Sequence, residues 1–568
     1  MEIEELESPS TRGVTTFPTL PPSKLLRVLV CGGGNAAHVF AGQLAARGHL
    51  PTLLTTYPNE AAAIRKGCEL NSGMEIRGWT TRGASVQTIR GRPAAIVGSF
   101  EEAFFLAPKG YHTTERDFIT RSTSRARYDL VLLAVPAPFH DTYLQQLAPY
   151  LRQSAEADAR YASQFPDVPA RLPTILAAAV AQGGFDMAAR AALADAGVER
   201  EVVVAGFETL PWACRVAQPG AVAEVLGTKD KVDAAVAVFP GTSRNLDAYA
   251  EPALQTLQIA VGPVPALRLA SGFLGITLSN INAFWHPTLL WHKWRDWDGT
   301  PVEGPPPLLY ETAPDDLKCD AMSSEIALVT AAIKARYPPG ALVDDMSSAR
   351  PVNAWFLDSY GDDPALDKTS TATMMRTNPA YRGLTHPMRP ASASESAAAS
   401  KESEEVSLPS KEKKGSLLVP DFSHRYIAED VGYGLAVMRG VAELAGVPTP
   451  TVDAVIVWAQ KQAGLSFLVD REIDKPGGEL SHPAADEVGS PDAESRAKAE
   501  PFTPRLICAG ADLTKTRCPQ RFGWFDLRWF MQSNGYARAE GANDEREKIG
   551  RAHVRTPVTS QSRMPSSA

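Results

Sequence analysis

One stretch constrains this chain more than any other: Val28-Leu29-Val30-Cys31-Gly32-Gly33-Gly34-Asn35-Ala36-Ala37. An apolar run fit to be a strand meets three glycines and then an alanine-rich stretch that continues through Ala46. A pattern of the form G-x-G-x-x-[G/A] needs that strand, turn and helix order. Gly32 permits the tight turn, and Gly34 lets the backbone approach a pyrophosphate. Ala37 keeps the helix close to the strand, and the helix start offers unpaired N–H groups at the positive end of its dipole. A glycine triplet alone is only a turn. At the head of repeated strand and helix segments it predicts a dinucleotide site built from Gly32, Gly33, Gly34, Asn35, Ala36 and Ala37.

Such repeats fill residues 25–263. RVLVCGG (27–33), YDLVLLAVPA (128–137), TILAAAV (174–180), REVVVAGF (200–207) and DAAVAVF (233–239) read as strands buried on both faces. The stretches 36–47 and 186–196 suit crossover helices. This pattern predicts an α/β domain with a Rossmann-type doubly wound parallel sheet. After residue 264 the strand signal fades. Segments 271–294, 321–337 and 434–465 carry helical periodicity, so a mostly α-helical domain is expected over 264–540. Residues 1–24 read as a flexible lead-in, 391–416 and 475–501 as solvated insertions, 107–127 as a third, smaller one, and 541–568 as a disordered tail.

Composition narrows the class. A formal net charge of −8 gives no electrostatic footprint for nucleic acid or anionic lipid. No apolar run approaches the ~20 residues of a membrane span. The first ten residues, MEIEELESPS, are acidic and polar where a secretory signal is basic and then apolar. The six cysteines are scattered without paired spacing, so neither a disulfide framework nor a metal site is expected. The expectation is a soluble, cytoplasmic protein.

Several polar residues resist explanation by the apolar pattern. The second strand ends near Leu53-Leu54-Thr55-Thr56 with no acid at its tip, and Arg65 follows a few residues on, which leaves NAD and NADP both open. Val135-Pro136-Ala137 and Gln182-Gly183-Gly184-Phe185 look like cofactor or substrate loops at strand ends. His286, within Asn282-Ala283-Phe284-Trp285-His286-Pro287, sits in an aromatic stretch. By composition it is a core histidine bonded to a carbonyl; by chemistry it is the side chain most readily tuned for proton transfer. His292, six positions on, falls on nearly the opposite helix face, which argues against a two-histidine metal site. Arg425-Tyr426-Ile427-Ala428-Glu429-Asp430 offers a guanidinium for a carboxylate and a carboxylate for a histidine, or else a helix start with surface charges. Glu208-Thr209-Leu210-Pro211-Trp212-Ala213-Cys214-Arg215 closes a strand with an acid, an aromatic and a cation together.

In this order the glycine loop, Gln182-Gly183-Gly184-Phe185, Leu210-Pro211-Trp212-Ala213-Cys214-Arg215, Asn282-x-x-x-His286-Pro287 and Arg425-Tyr426-x-x-Glu429-Asp430 resemble the opine dehydrogenases, the octopine/nopaline dehydrogenase group. The resemblance covers roughly 25–465. It implies reductive condensation of an α-keto acid, commonly pyruvate, with the amino group of an amino acid, using NADH or NADPH, with NADH slightly favoured. On the matching positions it implies His286 as general acid/base and Asp430 as its partner. Arg425 would clamp a substrate carboxylate, Glu208 attract the amino acid's cationic group, and Asn282 place the carbonyl. Val135, Pro136 and Ala137 would join the glycine loop at the cofactor, in a monomer or homodimer. Where the family usually has proline after the Asp-Val pair this chain has Gly432, which predicts a more flexible loop around Asp430. Two other functions stay open: a dehydrogenase reducing a simple keto acid, as ketopantoate reductases do, and a catalytically silent dinucleotide sensor.

Overall fold

The computed structural model describes residues 25–79, 87–105, 127–167, 172–237, 247–361, 363–392, 395, 417–471 and 505–538. The lead-in 1–24, the tail 541–568, the 475–501 insertion and nearly all of 391–416 and 107–127 lie outside them.

Among the described residues the first half of the chain supplies twelve strands: β1 (Arg27–Cys31), β2 (Leu50–Leu54), β3 (Met74–Trp79), β4 (Gln87–Gly91), β5 (Ala95–Val97), β6 (Leu130–Leu133), β7 (Thr174–Ala178), β8 (Val202–Phe207), β9 (Trp212–Gln218), β10 (Val222–Thr228), β11 (Lys231–Val236) and β12 (Ala266–Leu269). Eight of them form one sheet in the order β12-β11-β8-β7-β6-β1-β2-β5. From β5 to β8 every pairing is parallel. Side chains of β1 alternate between two cores, Val28 and Val30 to one and Leu29 and Cys31 to the other. Both faces are therefore covered, which is why these strands read as unbroken apolar runs.

Two features depart from the sequence expectation. β11 pairs with β8 antiparallel, because the chain leaves β8 through the hairpin β9–β10 and returns beside it without a crossover helix. The hairpin joins β3 and β4 in a second, four-stranded sheet, ordered β4-β3-β10-β9. These strands carry no continuous apolar signal in the sequence, because they mix buried and exposed residues and carry bulges, as at Val225/Gly227. The second sheet is fastened to the glycine loop. Val216 N–H donates to the Asn35 Oδ1 at 2.8 Å, and His38 bridges the Gly34 carbonyl (3.0 Å) and the Gly220 N–H (2.8 Å).

Beyond the sheet, helices Phe273–Thr277, Ile281–Trp294, Cys319–Arg336, Val352–Tyr360, Ala436–Ala445 and Pro450–Ala463 share one apolar cluster with a face of the sheet. The joint between the two is ionic at the sheet edge. Arg350, just before helix Val352–Tyr360, donates Nη2 to both Glu208 oxygens at 3.0 and 2.8 Å, reaches Asp233 at 3.1 Å and pairs with Asp358. Arg268 on β12 bridges Asp233, at 2.7 Å, and Asp358. Glu208 is 1 % exposed, so its charge depends on this partner.

Removing one member of a buried pair leaves the other charge uncompensated. Arg350→Met is expected to destabilise the fold by about 3–5 kcal/mol in chemical denaturation, and Glu208→Gln in the same chain to recover part of that loss.

Candidate active site

The cavity of about 150 Å³ that faces the carboxyl ends of β6 and β7 is walled by Ala137, Val180 and Gln182 on the sheet side and by helical segments opposite. A doubly wound sheet offers its ligand crevice at this end.

His286 enters from helix Ile281–Trp294, whose start is capped by Asn280 accepting from the Ala283 N–H. Pro287 interrupts the helix ladder, and the Thr288 hydroxyl returns to the Phe284 and Trp285 carbonyls, at 2.5 and 3.0 Å. His286 is 3 % exposed. Its Nδ1 lies 2.7 Å from Asp430 Oδ2 and its Nε2 2.7 Å from the Tyr310 hydroxyl. A carboxylate oxygen accepts, so Nδ1 donates and Nε2 accepts the Tyr310 proton. Tyr426 stacks on the imidazole, ring centroids 3.7 Å apart. Burial lowers the His286 pKa below its ordinary value, while Asp430 pulls it upward. Burial holds the Tyr310 hydroxyl well above the usual range, so it stays a donor.

Asp430 stands at the start of a π-helical turn, Val431–Leu435, that follows the short helix Arg425–Ala428. Asp430 N–H donates to the Arg425 carbonyl and Leu435 N–H to the Asp430 carbonyl, both five residues back. A π turn widens the helix, and here Arg425, Tyr426, Glu429 and Asp430 all line the cavity. The segment is thus helical rather than the flexible loop that Gly432 suggested. The Gly183 backbone packs so tightly beneath it, at φ +70, that a Cβ there would collide with the Tyr433 carbonyl.

Arg425 and Asn282 line the cavity. Arg425 Nη1 lies 3.6 Å from Glu429 Oε2, and Glu429 Oε1 accepts the Ala137 N–H at 2.8 Å. That contact ties the helix to the loop Val135-Pro136-Ala137 at the end of β6. Arg517, buried in the C-terminal segment, donates to the Ala137 carbonyl at 2.9 Å from the other side. Glu208 is the correction. Its carboxylate is closed off by Arg350 and the Asp233 N–H, and it does not line the cavity, because the strand end where it sits turns into the sheet edge.

At the cofactor loop, Gly32 has φ +128 and a Cβ would meet the Ala134 carbonyl. Nothing stands within 4 Å of where a Cβ on Gly34 would lie, and helix Asn35–Ala46 has no side-chain cap at its start. A pyrophosphate fits this loop: open space, a bare helix start and glycine where the backbone demands it. The acid missing from the tip of β2 arrives from the next helix. Glu60 accepts the Thr55 hydroxyl proton, and a Cβ on Gly33 would strike its carboxylate. Arg65 is held on the Ile96 carbonyl at 2.7 Å. Tyr310 and Lys229 lie in segments with no motif, and only folding brings them to the cleft, as it brings Arg517 to the Ala137 carbonyl behind it. Among the described residues no helix is long and apolar enough to cross a membrane, and no cluster of histidine, cysteine and acid side chains would hold a metal.

Comparison with known proteins gives a consistent picture. Residues 269–463 match the family described as NAD/NADP octopine/nopaline dehydrogenase, alpha-helical domain. An octopine dehydrogenase of Mizuhopecten yessoensis is 30% identical over 507 residues, 88% of this chain and 97% of that one. A tauropine dehydrogenase of Arabella iricolor is 29% identical over 502 residues, 88% and 98% of the two chains. A solved octopine dehydrogenase with NADH and L-arginine is 28% identical, with a TM-score of 0.61, covering 91% of this chain and all of that one. Another, with NADH and pyruvate, is 27% identical with a TM-score of 0.60.

The hydroxyl at Nε2 stabilises the neutral imidazole. Tyr310→Phe removes it, so the His286 pKa is expected to rise, visible as an upfield-to-downfield titration displaced to higher pH in histidine NMR. An unmoved titration would mean the hydroxyl does not hold Nε2.

Proposed function

The chain belongs to the octopine/nopaline dehydrogenase family of NAD(P)-dependent oxidoreductases, and on that premise we propose that its cleft condenses an α-keto acid, pyruvate by preference, with the amino group of an amino acid. The carbonyl and amine join as a C=N bond with loss of water. One hydride and one proton then reduce that bond, leaving a secondary amine dicarboxylate and oxidised cofactor. Bound NAD(P)H supplies the hydride.

The observation that carries this reading is His286, held between Asp430 and Tyr310 in the same cavity that Arg425 lines. Arg425 has the planar fork to fix both the distance and the plane of a small keto acid. Asn282, which lines the same cavity, orients the carbonyl. His286 takes a proton from the amine and returns one to the departing oxygen. Asp430 stabilises the imidazolium formed between those transfers. The sheet-side loops, Gly32–Ala37 and Val135–Ala137, receive the dinucleotide. Glu60 at Gly33 suits a ribose 2′-hydroxyl and repels a 2′-phosphate, which supports NADH over NADPH.

Two measurements test the assignment. Reduction consumes a proton, so reductive turnover falls as pH rises through the His286 pKa. Asp430 raises that pKa, so Asp430→Asn should move the fall to lower pH and cut turnover by ~10²-fold or more. Combined with His286→Asn the loss should be far less than additive. Arg425→Lys keeps charge and loses the fork. Its Michaelis constant for pyruvate should rise and its turnover drop, while the dissociation constant for NADH stays put.

A further inference from the structure

The charge of the cleft restricts what the amine can be. Besides Asp430 and Glu429, no carboxylate lines it among the described residues; Asp430 is taken by His286, while Glu429 accepts the Ala137 N–H at Oε1 and holds Oε2, without a hydrogen bond, 3.6 Å from the Arg425 guanidinium. Glu208, the acid nearest the strand end, is sealed by Arg350. Cations, by contrast, line the cavity three times, as Arg215, Lys229 and Arg425.

Lys229 is the unusual one. It follows β10, is 7 % exposed, and forms no ion pair among the described residues. Its Nζ donates to the Leu210 carbonyl at 2.6 Å and lies 5.8 Å from the Tyr360 ring centroid. A buried ammonium with three donors and one carbonyl partner is poised for an anion. From Lys229 to His286 the wall is aromatic: Tyr360 contacts Tyr381 with centroids 5.7 Å apart, Tyr381 stacks on Tyr310 at 4.5 Å, and Tyr310 meets His286. Arg425, beside Asp430, stands at the His286 end.

Resting on the condensation proposed above, we propose that the amine substrate is an amino acid with an uncharged side chain, whose acid group, a carboxylate or a sulfonate, is held by Lys229 while Arg425 holds the keto acid. The two cations then match the two acid groups of the product. A cationic side chain such as that of arginine would enter a cleft whose three cations, Arg215, Lys229 and Arg425, outnumber its two acids, one on His286 and the other beside Arg425, which disfavours it.

The test is NADH oxidation by the full chain with pyruvate and a panel of amines: glycine, alanine, β-alanine, taurine, arginine, lysine and agmatine. The uncharged-side-chain acids should exceed arginine, lysine and agmatine in kcat/KM by at least about 10-fold. Lys229→Met and Lys229→Gln should raise the KM of the best amine by roughly 10–100-fold, the size of a charged hydrogen bond, and leave the pyruvate KM and NADH affinity unchanged. β-Alanine against taurine separates carboxylate from sulfonate on one skeleton, and preference for either supports the proposal. Arginine, lysine or agmatine as best substrate would overturn it while the condensation stands. So would lysine variants, folded by circular dichroism, that keep the amine KM. Turnover with pyruvate alone, or with no amine at all, would overturn the condensation and this proposal with it.

Discussion

The hydrogen bond between His286 and Asp430 joins two buried residues 144 positions apart. It asks much of the surrounding chain. The imidazole must arrive from a helix that tolerates Pro287, and the carboxylate from a π turn that the Gly183 backbone supports from below. Burial works against a charged imidazole, and only a carboxylate already in place offsets that penalty. The Tyr310 hydroxyl completes the arrangement by holding the proton-accepting nitrogen at the cavity wall. With both nitrogens engaged, the ring keeps one orientation and one tautomer.

That same economy of charge runs through the joint between sheet and helices. Arg350 gathers Glu208, Asp233 and Asp358 at the sheet edge, and in doing so removes from the cleft the one acid that a strand-end motif had seemed to offer. What remains lining the cavity is largely aromatic, with three cations against the two acids Glu429 and Asp430. Glu429 joins the segment Arg425–Asp430 to the loop at the end of β6, and with Arg517 on the Ala137 carbonyl it holds that loop against the surface carrying Arg425.

The sequence showed the parallel strands well, because strands buried on both faces announce themselves as continuous apolar runs such as Leu130–Leu133 and Val202–Phe207. The second sheet was hidden, since β3, β4, β9 and β10 mix exposed polar and buried residues over short, bulged stretches that resemble loops. His286, Asp430, Arg425 and Asn282 were legible as members of ordered motifs. Glu208 stands in a motif too, but that place is local, whereas the partner that closes it off, Arg350, lies 142 residues away.

Local chemistry alone determined the glycine loop, the run of strands and helices that follows it, and which side chains have the chemistry for proton transfer and for gripping a carboxylate. These are properties of neighbours in the chain: backbone freedom at Gly32, apolar continuity in β1, and the types of donor and acceptor available. Folding decided which of those groups are free to act. Whether a carboxylate faces solvent, substrate or an arginine depends on residues far away in sequence, and a buried charge is governed by the groups within a few ångströms of it. Hence Asp430 meets His286, Glu60 takes the place the strand tip left empty, Glu208 is sealed, and Lys229 is left lining the cavity on the Leu210 carbonyl.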